Sequence, residues 1–129
     1  MTDLVTPAAS PELTALVERY LDAWNEPDRD RRDAVIAATW TEQGEYADPL
    51  LEAAGRLAIG EMIAGFQETY PDHLFSLVGE VEEHHGRLRF RWQLADAEGD
   101  PQLAGTDFGV VSEGGLLVSI TGFFDSPPA

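Results

Sequence analysis

Apolar positions recur at helical spacing in the first half of the chain and at a spacing of two in the second. Leu13, Leu16, Val17, Tyr20, Leu21 and Trp24 form the stripe of a first helix. Ser10 and Pro11 supply an N-cap and a proline at the first helical position, and Asn25-Glu26-Pro27-Asp28 ends the helix. A second, shorter helix is expected from Asp28 or Asp30 to about Trp40, its polar first turn and the later Val35, Ile36, Thr39 and Trp40 giving a short amphipathic segment. Thr41 to Gly44 reads as a turn, Glu45 to Asp48 as a strand, and the stretch up to Gly55 as a connection. A third helix covers about Leu57 to Tyr70. Ile59, Met62, Ile63, Phe66 and Tyr70 share one of its faces, and Pro71-Asp72 stops it.

From residue 74 the period becomes two. Four strands are expected: Leu74 to Glu83, Arg87 to Ala97, Leu103 to Ser112 and Leu116 to Asp125. In the second of these, Leu88, Phe90, Trp92 and Leu94 face one way and Arg87, Arg89, Arg91 and Gln93 the other. In the fourth, Leu116, Val118, Ile120, Gly122 and Phe124 form the apolar set. The first keeps no single parity, because Leu74, Phe75, Leu77, Val78 and Val81 do not alternate. Helices followed by an antiparallel meander give an α+β class, with the helices covering one face of a curved sheet. A half-open cone of that kind leaves a cavity between the layers. The whole chain, 1–129, reads as one domain, with residues 1–9 as a loose arm and 126–129 as a tail.

Composition narrows the chemistry. The net charge is −16, from 24 acids and 8 bases, and such a field disfavours nucleic acid and anionic membrane as partners. The lack of a spanning apolar run or a leader pattern points to a cytoplasmic protein. There is no cysteine, and all eight bases are arginine. Thiolate nucleophiles, disulfides, lysine Schiff bases and a P-loop are therefore excluded. Carboxylates, tyrosines, three histidines and arginines remain.

Tyr46 and Asp48 lie two apart and share a strand face, and Pro49 holds Asp48 extended where the strand stops. The residues alone leave two roles open for Asp48: a turn aspartate bonded to its own backbone, or a base beside a pocket. Tyr20 sits on an apolar stripe, so its hydroxyl points inward and needs a partner. Asp107 stands between Gly105 and Gly109. If its face is the inner one it is a desolvated acid with space around it; if Thr106 and Phe108 face in, it is solvated. His84 and His85 belong to a turn and are expected in solvent, whereas His73 is the histidine that could reach the cavity. Glu82-Glu83-His84-His85 is discounted as a metal site because adjacent side chains on a strand diverge.

Three segments, taken in order, resemble the ketosteroid isomerase and SnoaL-like (polyketide cyclase-like) branch of the nuclear transport factor 2-like superfamily. They are Val17 to Asn25, Tyr46-Ala47-Asp48-Pro49, and Thr106-Asp107 through Gly114-Gly115 to Gly122-Phe123-Phe124. The resemblance implies a cone-shaped sheet covered by three helices. It also implies an isomerase, cyclase or dehydratase that needs no cofactor or metal and acts on an apolar carbonyl compound. Asp48 would be the base, and Tyr20 and a protonated Asp107 would donate to the enolate oxygen. Trp24, Trp40, Tyr46, Met62, Phe66, Phe90, Trp92, Ile120 and Phe124, with Leu88, would line the pocket. A homodimer through the outer sheet face is implied; the row of Arg87, Arg89 and Arg91 could contribute ion pairs there, although a solvated face is the commoner outcome for such a row.

The chain departs from these relatives in places. The position near Ile63, a further tyrosine in some isomerases, is apolar. Arg91 is followed two later by Gln93, not by the aspartate of the fold's epoxide hydrolases. The first helix and Asp48 are also separated by a few more residues than in the isomerases. Trp24 and Trp92 are bulky and could narrow the cavity. Two other functions stay open: a non-catalytic pocket for a hydrophobic small molecule, and an interaction module whose cavity is filled by tryptophans.

Overall fold

A computed structural model describes residues 4–125; the expected tail at 126–129 lies outside them. Helix α1 (Pro11–Asn25) starts where Ser10 Oγ accepts from the Leu13 N–H at 3.3 Å, and it buries Leu16, Val17, Tyr20, Leu21 and Trp24. Helix α2 (Arg29–Thr39) is capped by the Asp28 carboxylate, which accepts from the Arg31 N–H at 2.9 Å. Helix α3 (Arg56–Thr69) buries Ile59 and Ile63.

The strands are β1 (Trp40–Ala47), β2 (Glu52–Ala54), β3 (Leu74–His84), β4 (Arg87–Ala95), β5 (Pro101–Val111) and β6 (Leu117–Phe124). They form one open sheet in the order β2-β1-β6-β5-β4-β3. Strands β1 and β6 run parallel, and the other neighbours are antiparallel. The architecture is the expected α+β cone: a curved, unclosed sheet under three helices. No helix among the described residues is long and apolar enough to cross a membrane.

Four local expectations are corrected. The turn at 41–44 is part of β1, which bulges between Trp40, paired with Leu117, and Glu45, paired with Ser119. Gly44 permits this: the Trp40 ring lies over it, and a Cβ there would stand 2.5 Å from the ring. The Trp40 carbonyl accepts from Arg56 Nη2 at 2.7 Å and Nε at 3.1 Å, which satisfies a group the bulge removes from the ladder. The connection to Gly55 contains β2, three residues too short to show a period. On β6, Val118 is an extra residue against β5, so Leu117 is fully buried and Val118 is 39% exposed. Residues 7–9 are not loose at their end: the Ala9 N–H donates to the Val81 carbonyl at 2.8 Å, and the Glu83 N–H to the Pro7 carbonyl at 3.1 Å.

The mixed parity of β3 also resolves. Leu74 and Val78 are exposed and Val81 is buried, with a register shift between Val78 and Glu82 at Gly79, whose φ is +73°. Polar side chains tie the helices over the inner face. The Asn25 amide bonds both backbone groups of Phe75, at 2.8 and 2.9 Å, like one rung of a ladder. Gln67 Nε2 donates to the Trp24 and Glu26 carbonyls, and buried Arg32 donates to Glu26 O and to Gln67 Oε1. The carbonyls left free at the end of α1 thus find partners on α2 and α3.

Candidate functional site

The helix layer and the sheet enclose a cavity of about 630 Å³. A collapsed interior filled by tryptophans is thereby ruled out. Its inner end is made by Tyr20 from α1, Tyr46 from β1, Trp92 from β4 and Asp107 from β5, all buried, with half-buried Asp48 beside them. Trp24, Phe66, Phe75 and Phe124 form apolar walls, Trp24 packing edge-on against Phe66 at 5.4 Å and against Phe75 at 5.5 Å. Exposed Leu50, Glu61, Thr69, Tyr70 and Gln102 mark the mouth.

The parity of β5 is decided at Asp107, which is 2% exposed while Phe108 beside it is 44% exposed. Tyr20 donates its hydroxyl to Asp107 Oδ2 at 2.9 Å, and the Trp92 indole N–H donates to Oδ1 at 2.8 Å. Burial pushes the Asp107 carboxyl up to about 6. The two hydrogen bonds oppose the shift, and the charge of Asp48 adds to it. Burial, reinforced by the neighbouring Asp107, raises Tyr20 well above its ordinary value of 10.0. Tyr46 is also raised by burial and by its bond to Asp48. Both phenols are therefore donors at neutral pH.

The space expected beside Asp107 is occupied. Trp92 lies over Gly105, and Ile120 Cδ1 would be 3.0 Å from a Cβ at Gly109. Gly122 pairs with Asp107 across the β5–β6 ladder. A Cβ there would stand 2.7 Å from Asp107 Oδ1 and 3.4 Å from Asp48 Cβ, so the two acids flank one glycine. The position of Asp48 is compatible with both readings. It lines the cavity, and it is also a turn aspartate: Oδ1 accepts the Leu50 and Leu51 N–H groups, each at 2.8 Å. Its Oδ2 accepts the Tyr46 hydroxyl at 2.5 Å.

The cavity brings together Tyr20, Asp48 and Asp107 with Trp24, Tyr46, Met62, Phe66, Trp92 and Phe124. Trp40, Phe90, Ile120 and Leu88 are corrected to core residues outside its lining. Tyr20 covers two of them, packing edge-on against Phe90 at 5.6 Å and tilted against Trp40 at 6.1 Å. Ile120 packs beside Gly109, and Leu88 lies beside the same glycine farther along the ladder. His73 does reach the lining; its Nδ1 is 3.0 Å from the Pro71 carbonyl. Phe75 was not singled out from the sequence, because β3 showed no clear parity. Leu50 and Leu51 follow Pro49 in an irregular segment that has no pattern to read. Among the described residues no group of three or more His, Asp or Glu side chains is arranged to hold a metal.

No family model and no curated protein matches the chain. Solved structures do. A protein of Agrobacterium tumefaciens strain C58, described as a candidate isomerase of the SnoaL-like family, is 32% identical over 91% of this chain and all of its own, with a TM-score of 0.87. The chain belongs to the SnoaL-like family. A candidate SnoaL-like polyketide cyclase from Jannaschia sp. CCS1 is 16% identical, with a TM-score of 0.69 over 95% of this chain and 99% of that one. A cystatin-like protein of unknown function from Methylobium petroleophilum PM1 is 19% identical, with a TM-score of 0.74 over 95% and 82%. These two share the fold of this SnoaL-like chain.

Proposed function

We propose that this SnoaL-like protein is a cofactor-independent isomerase or cyclase-type enzyme that removes a proton next to a carbonyl of an apolar small molecule. The observation that carries the reading is the pairing of Tyr20 with Asp107 at the buried end of an apolar cavity, with Asp48 across Gly122. The substrate carbonyl would enter first and the apolar body would lie between Trp24, Phe66 and Phe75. Asp48 Oδ2 would take the proton from the α-carbon as that C–H bond breaks. Its electron pair would form the enolate, and negative charge would gather on the former carbonyl oxygen.

The Tyr20 hydroxyl and Asp107 Oδ2 stand 2.9 Å apart, so an oxygen seated beside both can accept from neutral Asp107 and from Tyr20 once the phenol proton turns from Asp107 toward it. In a dry site such donors act most strongly on charge that appears only in the transition state. Asp48 would then return the proton to another carbon, giving an isomer; or the enolate carbon would attack a second carbonyl carbon of the same molecule, whose π pair would move to its oxygen and take the proton from Asp48, closing a ring. Deuterium exchange and conjugation of 3-oxo-Δ5 steroids and small β,γ-unsaturated ketones test this. Turnover supports the reading; absence of any exchange sinks it.

One observation favours a second reading, a non-catalytic pocket for a hydrophobic molecule. Asp48 already accepts three hydrogen bonds, as a structural turn residue does. Saturable binding of these ketones without exchange would select it.

We also propose that the protein forms a homodimer through the outer sheet face, where Phe108 (44% exposed) and Phe123 (55% exposed) pack edge-on at 6.0 Å beside exposed Val110 and Val118. Arg89 is paired within the chain to Glu82 at 2.7 Å, so the arginine row has less charge to offer a partner than its pattern implied. Phe108→Glu with Phe123→Glu is expected to sediment as a monomer, the cavity being on the opposite face. A wild-type monomer, or a variant that remains dimeric, overturns this interface.

A further inference from the structure

Asp107 and Trp92 lie on neighbouring antiparallel strands but are not directly opposite. Trp92 pairs with Gly105, and Asp107 with Phe90. Their side chains share a face and meet on the diagonal, within reach of a long aromatic. The indole leans across the place where a side chain at 105 would stand. A Cβ there would lie 2.2 Å from Trp92 Cζ2, 2.5 Å from Cε2 and 2.7 Å from the Phe123 carbonyl oxygen. Phe75 packs edge-on against the indole at 5.3 Å and Phe124 at 6.3 Å. The ring is thus held on several sides, with Nε1 delivered to Asp107 Oδ1 at 2.8 Å.

An indole N–H can donate but never accept. Oδ1 of Asp107 is therefore an acceptor in either protonation state. The proton of the neutral acid is left to Oδ2, the oxygen 2.9 Å from the Tyr20 hydroxyl. We infer that Trp92, seated by Gly105, is a positioning residue that selects which oxygen of Asp107 carries the proton. It thereby aims the Asp107 O–H at the point Tyr20 also addresses. This rests on Asp107 acting as a donor to the reacting oxygen. Without the indole N–H, either carboxyl oxygen can hold the proton, and part of the population presents the wrong one.

Trp92→Phe keeps an aromatic ring on Gly105 and removes the N–H. The readout is the carbon-13 titration of the Asp107 carboxyl in the substrate-free protein. The titratable groups facing Asp107 are Tyr20 from α1, Tyr46 from β1 and Asp48 at the end of β1, all unchanged in the variant. The charged form loses a donor, so the midpoint is expected to rise above about 6 by about one pH unit. An unchanged midpoint overturns the proposal and leaves Trp92 as a wall. Should Trp92→Phe not fold, Trp92→Met also removes the N–H while leaving Gly105 and the ladder to Phe123 untouched; the same rise is expected, and an unmoved midpoint again overturns the inference. The titration needs no turnover. A wild-type protein inert towards ketones would sink the proposed reaction while the midpoint still judges Trp92.

Discussion

Asp48→Asn is expected to lower kcat for an enolisable ketone about a thousandfold, within the range that positioned general bases supply. The lone pair of an amide nitrogen is delocalised into its carbonyl, so the side chain cannot act as the base. The amide oxygen can still accept the Leu50 and Leu51 N–H groups, so the turn after β1 should survive. The cavity walls are untouched, and KM should change little, the pattern of an interaction lost mainly in the transition state. Binding measured without turnover is the control. If turnover is unchanged, Asp48 is a turn residue and nothing more. If turnover is unchanged but Asp107→Asn abolishes it, the proton acceptor is Asp107, whose oxygens both face donors.

The second large effect is on stability. Asp107 binds its proton more tightly in the folded protein, with its value raised from 3.8 to about 6, than in an unfolded chain. Between these values the native state holds a proton that the unfolded state has released. Unfolding then releases protons, and stability must fall as pH rises through the window. The shift corresponds to a loss of up to about 3 kcal/mol by neutral pH. Asp107→Asn cannot titrate and should lack the step. Urea unfolding of both proteins between pH 4 and 7.5 should therefore diverge, the wild type losing stability relative to the variant as pH rises. The other acids act on both proteins alike and cancel in the difference. Parallel curves would mean that Asp107 titrates as an ordinary surface aspartate.

Much of this site was legible because its residues break local rules. Tyr20 is a polar group on an apolar stripe, Asp48 precedes a proline at a strand end, and Asp107 is an acid on an otherwise apolar strand face. Each anomaly survives folding as a buried or half-buried polar group with partners. The meander was readable for a similar reason: Leu88 to Leu94 alternate strictly and all four apolar residues are buried. What escaped was set by bulges. The irregular register of β1 turned an apparent turn into a strand, and one extra residue moved the buried role on β6 to Leu117. Partner choice was equally hidden. That Trp92 serves Asp107 depends on a glycine across a ladder, and no period along one strand contains that pairing.

The inner end of the cavity and its mouth come from different parts of the chain. The polar cluster stands on α1 and the central sheet, where each member is locked by neighbours. Most of the mouth stands on the outer side of α3 and on short connections, at Leu50, Glu61, Thr69 and Tyr70. Substitutions at the mouth can therefore accumulate without disturbing the acid pair. A lineage carrying this scaffold can exchange one bound molecule for another by drift at a few exposed positions while the buried polar cluster is inherited intact.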